Sequence, residues 1–191
     1  MEQVRIRKAA VPQSVFAKIL LPFAVPVLIT FALLLLVGNH WPRDIAPGSG
    51  LKLAGLGASA ITALAVWHSA VARVQAPKAR KGTALLCAVT GLMGWPVWCV
   101  GVLPSINGAA LNSQTTVRMT LERIEVTHAS KSRALYHWAW LKAGRDDSVI
   151  GSGRYFISNE IYDRLEKTRP GAVKVTVAEG LLGAQIVRGF N

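Results

Sequence analysis

Hydrophobic and polar positions divide this chain into two halves. Residues 19–38 (ILLPFAVPVLITFALLLLVG), 53–72 (LAGLGASAITALAVWHSAVA) and 83–103 (TALLCAVTGLMGWPVWCVGVL) contain no Asp, Glu, Lys or Arg. A helix of about twenty residues at 1.5 Å per residue reaches the roughly 30 Å of a bilayer's hydrocarbon core. Buried helices of a water-soluble protein keep a polar face, whereas these runs are apolar all round. They predict three transmembrane helices. After Leu103 the pattern changes, and from Val117 onward charges recur every few residues. The boundary falls at Pro104–Gly108, so residues 1–18 form a basic tail, 19–103 a membrane region and 104–191 a soluble domain.

Within that domain the period is first two. Residues 116–127 (TVRMTLERIEVT) alternate, with a phase slip at Glu122–Arg123 that predicts a β-bulge. Residues 129–133 and 144–148 have turn composition and separate a second strand at 135–142 and a third at 149–157, the last broken by Gly151 and Gly153. The period then lengthens. Residues 158–168 open with Ser158 and Asn159, carry Glu160 in the first turn, space Ile161 and Leu165 four apart, and stop at Pro170-Gly171, which predicts a helix. Strands follow at 172–178 and 184–188 around a Gly180-Leu181-Leu182-Gly183 hairpin tip. The expected fold is membrane α-helical plus a small α+β domain of order β-β-β-α-β-β, with an antiparallel sheet or small open barrel.

Charge sets the direction of the spans. The net charge is +12, from 22 Lys and Arg against 10 Asp and Glu. Within 19–103 the charges are confined to the loops: Arg43, Asp44 and Lys52, then Arg73, Lys78, Arg80 and Lys81. Basic clusters at span ends orient a protein and touch anionic headgroups, so the excess does not call for nucleic acid. The tail (Arg5, Arg7, Lys8, Lys18) and the second loop outweigh the first loop, which predicts a cytoplasmic tail and second loop. Three spans then deliver the C-terminal domain to the periplasmic side of a bacterial inner membrane. Trp41, Trp95 and Trp98 fall toward the outer interface and Trp67 toward the inner one. The first span is too long for a signal-peptide core and no Ala-x-Ala site follows it, so it is expected to be retained.

Inside the spans, Pro22, Pro26 and Pro96 are expected to bend their helices. Gly55 and Ser59 are four apart in a span rich in small residues, a spacing that lets backbones approach closely, so span two is expected to be the central helix. The same residues serve either packing within the bundle or a partner helix. Cys87 and Cys99 lie twelve residues apart, about 18 Å along a helix, which is beyond disulfide reach.

Candidate chemistry is sparse. His68 is the ionisable side chain of the spans, close to a predicted interface. His128 and His137 stand on adjacent predicted strands with Glu125 as a nearby carboxylate, a set from which a zinc or acid–base site could be built. The alternative is a pair of solvated or capping histidines, and no catalytic residue, metal or cofactor is assigned. Asp146-Asp147 fits a turn. Tyr136, Trp138 and Trp140 share one strand face, as a core would. Leu181 and Leu182 at a hairpin tip have the bilayer surface, a partner or the underside of the sheet available to them.

The pattern Tyr162…Leu165…Pro170-Gly171…Val173-x-Val175-x-Val177-x-x-Gly180-Leu181-Leu182-Gly183, following a set of spans, resembles bacterial inner-membrane proteins with a short extracytoplasmic α+β domain. The resemblance covers about thirty residues and implies no activity or site residue. The function expected from all of this is a non-enzymatic accessory or scaffold subunit whose partners are the bilayer and other membrane proteins, with no nucleic acid. A toxin-neutralising membrane protein and a lipid- or envelope-acting enzyme using His128, His137 or Glu125 are the alternatives.

Overall fold

The computed structural model describes residues 13–37, 44–72, 74–128, 135–144 and 149–191. Most of the basic tail, Trp41, Arg43, Arg73, the turn at 129–133 and the Asp146-Asp147 turn lie outside the described residues. The chain forms two compact units. One holds the described residues up to Phe31 with Leu53–Gly101, and the other holds Ala32–Lys52 with Val102–Asn191.

The first unit is helical: α1 (Gln13–Ile19), α2 (Leu21–Val37), α3 (Leu51–Val71) and α4 (Pro77–Val97). After α4 a π-helical turn at Trp98–Val102 leads into α5 (Leu103–Asn107), and Pro77–Asn107 is one helix of 31 residues. Two helices, α3 and Pro77–Asn107, are long and apolar enough to cross a membrane; a third qualifies if α1 and α2, bent by 56°, count as one span. The bend lies at Leu20, ahead of Pro22. Proline lacks the N–H that would bond Lys18 O one turn back, so the helix breaks before it, and the ladder resumes with Phe23 N at 3.1 Å and Ala24 N at 2.9 Å donating to Leu20 O. Pro26 is carried inside α2 and its carbonyl also accepts from Thr30 Oγ1 at 2.8 Å.

Span two, expected to be central, is not the hub; span three is. On one side Gly91 lies so close to Ala63 that an added Cβ would stand 2.7 Å from the Ala63 methyl, and the buried Ser59 hydroxyl donates to Gly91 O. Gly55 meets Cys99 in the same way. On the other side a Cβ at Gly94 would stand 2.5 Å from Pro22 O, Gly101 abuts Thr30, and Thr90 Oγ1 donates to Ile19 O at 3.0 Å. The small residues of span two are therefore one half of an interface whose other half is on span three, which also packs against span one. Gly91→Leu is expected to lower the melting temperature in mild detergent by several degrees, because overpacking costs about 1–3 kcal/mol. Leu92→Ala, at the neighbouring exposed position, is expected to leave it within a degree or two.

The second unit is built on a five-stranded antiparallel sheet of order β3-β2-β1-β4-β5. Its strands are β1 (Leu111–His128), β2 (Leu135–Ala143), β3 (Gly153–Ile157), β4 (Ala172–Gly180) and β5 (Gln185–Phe190). Helix α6 (Asn159–Thr168) stands between β3 and β4, and α5 precedes β1, a helix that the strand pattern does not announce. The long β1 pairs with β4 over Leu111–Thr120 and with β2 over Met119–His128, a stagger that curls the sheet. The register shifts between Leu121 and Arg123, where the phase slip predicts a bulge. Met119, Leu141, Tyr155, Ile157, Leu165, Val173, Val175 and Val177 form the core on one face, under α6. Ser158 caps α6, accepting from Ile161 N at 3.4 Å, and Arg169 ends it in the left-handed conformation with φ of 39°.

The β5 edge is not left open. Ile45, in the loop after span one, forms an antiparallel bridge with Ile186, supported by Ala46 N to Gln185 O at 2.8 Å and Val187 N to Asp44 O at 2.7 Å. Pro47 then lies against Gly151, where a Cβ would stand 2.7 Å from Pro47 O, and against Gly153. This contact explains why β3 begins at Gly153 and not at Val149: the chain ahead of it packs on the loop and does not pair with β2.

Candidate functional site

Alternation on β2 sends its side chains to two faces, and the core takes the smaller set. His137, Ala139 and Leu141 are buried toward α6, whereas Trp138 and Trp140 are half-buried and Tyr136 is exposed on the outer face. The aromatic stripe, whose shared face suggested a core, therefore lies outside it. The register sets Glu125 opposite Trp138, Arg123 opposite Trp140, and Phe156 and Arg154 of β3 on the other flank.

These side chains hold one another in place. Trp138 Nε1 donates to Thr127 Oγ1 at 2.8 Å and Trp140 Nε1 donates to Glu125 Oε2 at 2.8 Å. The Arg154 guanidinium lies 4.0 Å from the Trp138 ring centroid, and Arg123 lies 4.6 Å from that of Trp140, both in cation–π geometry. Arg154 Nη2 reaches Glu125 Oε1 at 3.5 Å, and its buried Nε has no hydrogen-bond partner among the described residues. Phe156 meets Trp138 edge-on at 5.5 Å and Tyr136 at 6.2 Å. The result is a rigid aromatic surface with its indole N–H groups already satisfied.

The same face is basic. At outward positions of β1, β2 and β4, Arg118, Lys142 and Lys174 join Arg123 and Arg154, and apart from the bulge residue Glu122 the acid among them is Glu125. Arg118 stands directly opposite Lys174 in the register. Like charges across a strand pair repel unless an anion lies between them. Beside this face a cleft of about 540 Å³ opens between β3 and the loop–β5 edge, lined by Asp44, Ile45, Trp138, Arg154, Phe156 and Val187.

The histidine set does not assemble with its carboxylate. His137 pairs with Val126 and His128 with Leu135, which makes the two histidines diagonal neighbours on the inner side of the sheet, while Glu125 points to the opposite face. His137 is buried against the Tyr162 ring, 4.5 Å between centroids, and His128 is exposed. Among the described residues no group of three or more His, Cys, Asp and Glu side chains converges as a metal site would require. His68 is exposed on α3. Gly55 and Ser59 are buried in the interface with span three. Burial, and then the charge and hydrogen bond of Glu166, push the Tyr162 hydroxyl above its ordinary range.

Tyr155 supplies a pH handle on the domain. It is buried beneath the sheet, donates to Gly151 O at 2.5 Å, and burial pushes its hydroxyl up to about 12. A raised folded-state value means stability that is complete below the unfolded value near 10 and lost as pH climbs toward 12. The loss is expected to reach about 2–3 kcal/mol at pH 12. Tyr155→Phe is expected to flatten that alkaline limb, as read by denaturant titrations between pH 8 and 12.

The hairpin tip is fixed by a residue that the sequence pattern leaves unremarked. Asn107, fully buried at the end of α5, donates from Nδ2 to Ala184 O at 2.9 Å and accepts at Oδ1 from Leu182 N at 2.9 Å and Ala184 N at 3.3 Å. Its backbone carbonyl accepts from Leu181 N at 2.8 Å. Gly180 packs directly on Asn107, and Gly183 turns with φ of 77°. Leu181 and Leu182 project outward from this clamp.

In comparisons with known proteins, no family model, no curated protein and no solved structure matches this chain.

Proposed function

We propose that this chain is a non-enzymatic accessory or scaffold subunit of a bacterial inner-membrane complex. Its spans anchor it with the N-terminus in the cytoplasm, and its periplasmic domain binds an acidic protein surface. The observation that carries this reading is the outer face of β1–β4, where Trp138, Trp140, Tyr136 and Phe156 are held rigid among Arg118, Arg123, Arg154 and Lys174. Trp, Tyr and Arg are the residues enriched at protein-binding hot spots. Their rotamers are fixed in advance, so little entropy is lost on binding. The excess of cations selects an acidic partner.

The orientation has its own support. The pairing of the first loop with β5 supports a topology in which loop and domain lie on one side of the membrane and spans two and three form a hairpin between them. The basic residues Lys78, Arg80 and Lys81 of the second loop then face the cytoplasm.

Co-purification from gently solubilised membranes tests the function. A companion protein with an acidic surface is expected with the native chain and lost with Trp138→Ala/Trp140→Ala, while the variant still folds. A companion that persists undiminished on the variant, or a native chain that purifies alone, would refute the reading. A companion that is a toxin and not a resident membrane subunit would move the role to toxin neutralisation.

A further inference from the structure

Leu181 and Leu182 are 60% and 46% exposed at the tip of the β4–β5 hairpin, an unusual place for two adjacent leucines in a soluble domain. Asn107 decides where that tip lies. Four hydrogen bonds tie it to the tip backbone at Leu181, Leu182 and Ala184, and it is the last residue of the helix Pro77–Asn107. The charged end of that helix, Lys78, Arg80 and Lys81, belongs in one headgroup layer. From Gly82, at 1.5 Å per residue, a hydrocarbon core of about 30 Å ends some twenty residues later, near Val102. Asn107 is about five residues farther on, roughly 7 Å, which is the thickness of the opposite headgroup layer. A tip clamped to Asn107 therefore sits at the level where the membrane surface begins, and a leucine side chain is long enough to reach below it.

We propose that Leu181 and Leu182 insert into the lipid headgroup layer beside the last turn of the third span, making the hairpin a second membrane contact of the domain. The proposal rests on the membrane-spanning reading of Pro77–Asn107. Continuity favours lipid as the occupant over a protein: the backbone that carries the two leucines is bonded to the end of a helix whose own surface meets lipid. Asn107 acts as the positioning residue, Gly180 allows the backbone to come that close, and Gly183 turns the chain with φ of 77°.

The test uses the full chain in vesicles of phosphatidylethanolamine and phosphatidylglycerol, on a Cys87→Ala/Cys99→Ala background. An environment-sensitive fluorophore is placed at Leu182→Cys, at Leu92→Cys on the lipid-facing side of the span, and at Lys174→Cys on the sheet. The expected result is blue-shifted emission at 182 with at least twofold quenching by lipids spin-labelled near the headgroup. Quenching at 92 should be strongest by deep labels, and at 174 there should be none. Water-like emission at 182 with lipid quenching retained at 92 would overturn the insertion and leave the spans intact. Blue-shifted emission at 182 without lipid quenching would overturn it in favour of a protein neighbour, and chemical cross-linking would show whether that neighbour is a second copy. Loss of quenching at 92 as well would refute the membrane reading on which the proposal stands. Asn107→Ala gives an independent check: it is expected to reduce quenching at 182 and leave quenching at 92 unchanged.

Discussion

Asn107→Ala is expected to destabilise the C-terminal domain by about 3 kcal/mol, a drop of ten degrees or more in its melting temperature. The substitution removes one buried amide and leaves two backbone donors, Leu182 N and Ala184 N, without the acceptor they have now, while Ala184 O loses one of its two donors and keeps Gly180 N at 3.0 Å. Each buried polar group left unsatisfied costs about 1–3 kcal/mol, and water entering at the turn recovers part of the sum. Leucine is nearly isosteric with asparagine but makes none of these bonds, so Asn107→Leu should be no better. Asn107→Asp separates the contributions. Its carboxylate keeps the acceptor role toward Leu182 N and Ala184 N but sets a negative charge against the Ala184 carbonyl, which only a protonated acid can satisfy. The variant should therefore fall between the native protein and Asn107→Ala in stability. Thermal unfolding of the detergent-solubilised chain reads all three variants. Equal stability of native and Asn107→Ala proteins would mean that the tip is held by something else.

Asn107 also shows where sequence pattern stops being informative. It lies in Pro104–Gly108, a stretch whose composition marks a boundary, and its partners are some 75 residues away. No periodicity carries that distance. The features that could be read were those whose cause is local. Twenty apolar residues need no partner to be a span, and α6 announces itself through Ser158, Glu160 and the Ile161–Leu165 spacing. The bulge at Leu121–Arg123 appears as a slip of phase because the side-chain period of a strand is two. The features that could not be read were decided by tertiary choice. Both faces of β2 are apolar enough to be core, and only the arrival of α6 over His137, Ala139 and Leu141 leaves the indoles outside. Span two is rich in small residues, yet the hub is span three, because Gly91, Gly94 and Gly101 address two different neighbours. The pairing of Ile45 with Ile186 joins the first loop to the last strand, a contact without any local signature.

The two faces of β2 make the second large prediction, since adjacent residues should fail in different ways. Leu141 is 1% exposed in the core, and Leu141→Ala is expected to cost about 2–5 kcal/mol of stability through the cavity it leaves. Any partner binding that survives at low temperature should be of native affinity, because the outer face is untouched. Trp140, one position before it, points the other way. Trp140→Ala removes a half-buried ring, one hydrogen bond to Glu125 and the platform under Arg123. The freed Glu125 carboxylate still has Arg154 at 3.5 Å and solvent beside it, so the stability cost should stay near 1 kcal/mol. Partner affinity should fall far more: truncating a central hot-spot tryptophan typically costs at least 2 kcal/mol of binding, about a thirtyfold loss. Trp138→Ala should behave in the same way, and the double variant should lose less than the sum, because Arg154 Nη2 joins Thr127, the partner of Trp138, to Glu125, the partner of Trp140. If Trp140→Ala instead destabilised the domain as severely as Leu141→Ala while the companion protein still bound, the indole stripe would be structural. The basic face would then have to find its partner without it. A clean separation, stability on one side of the strand and affinity on the other, is what a binding face built back to back with a core must give.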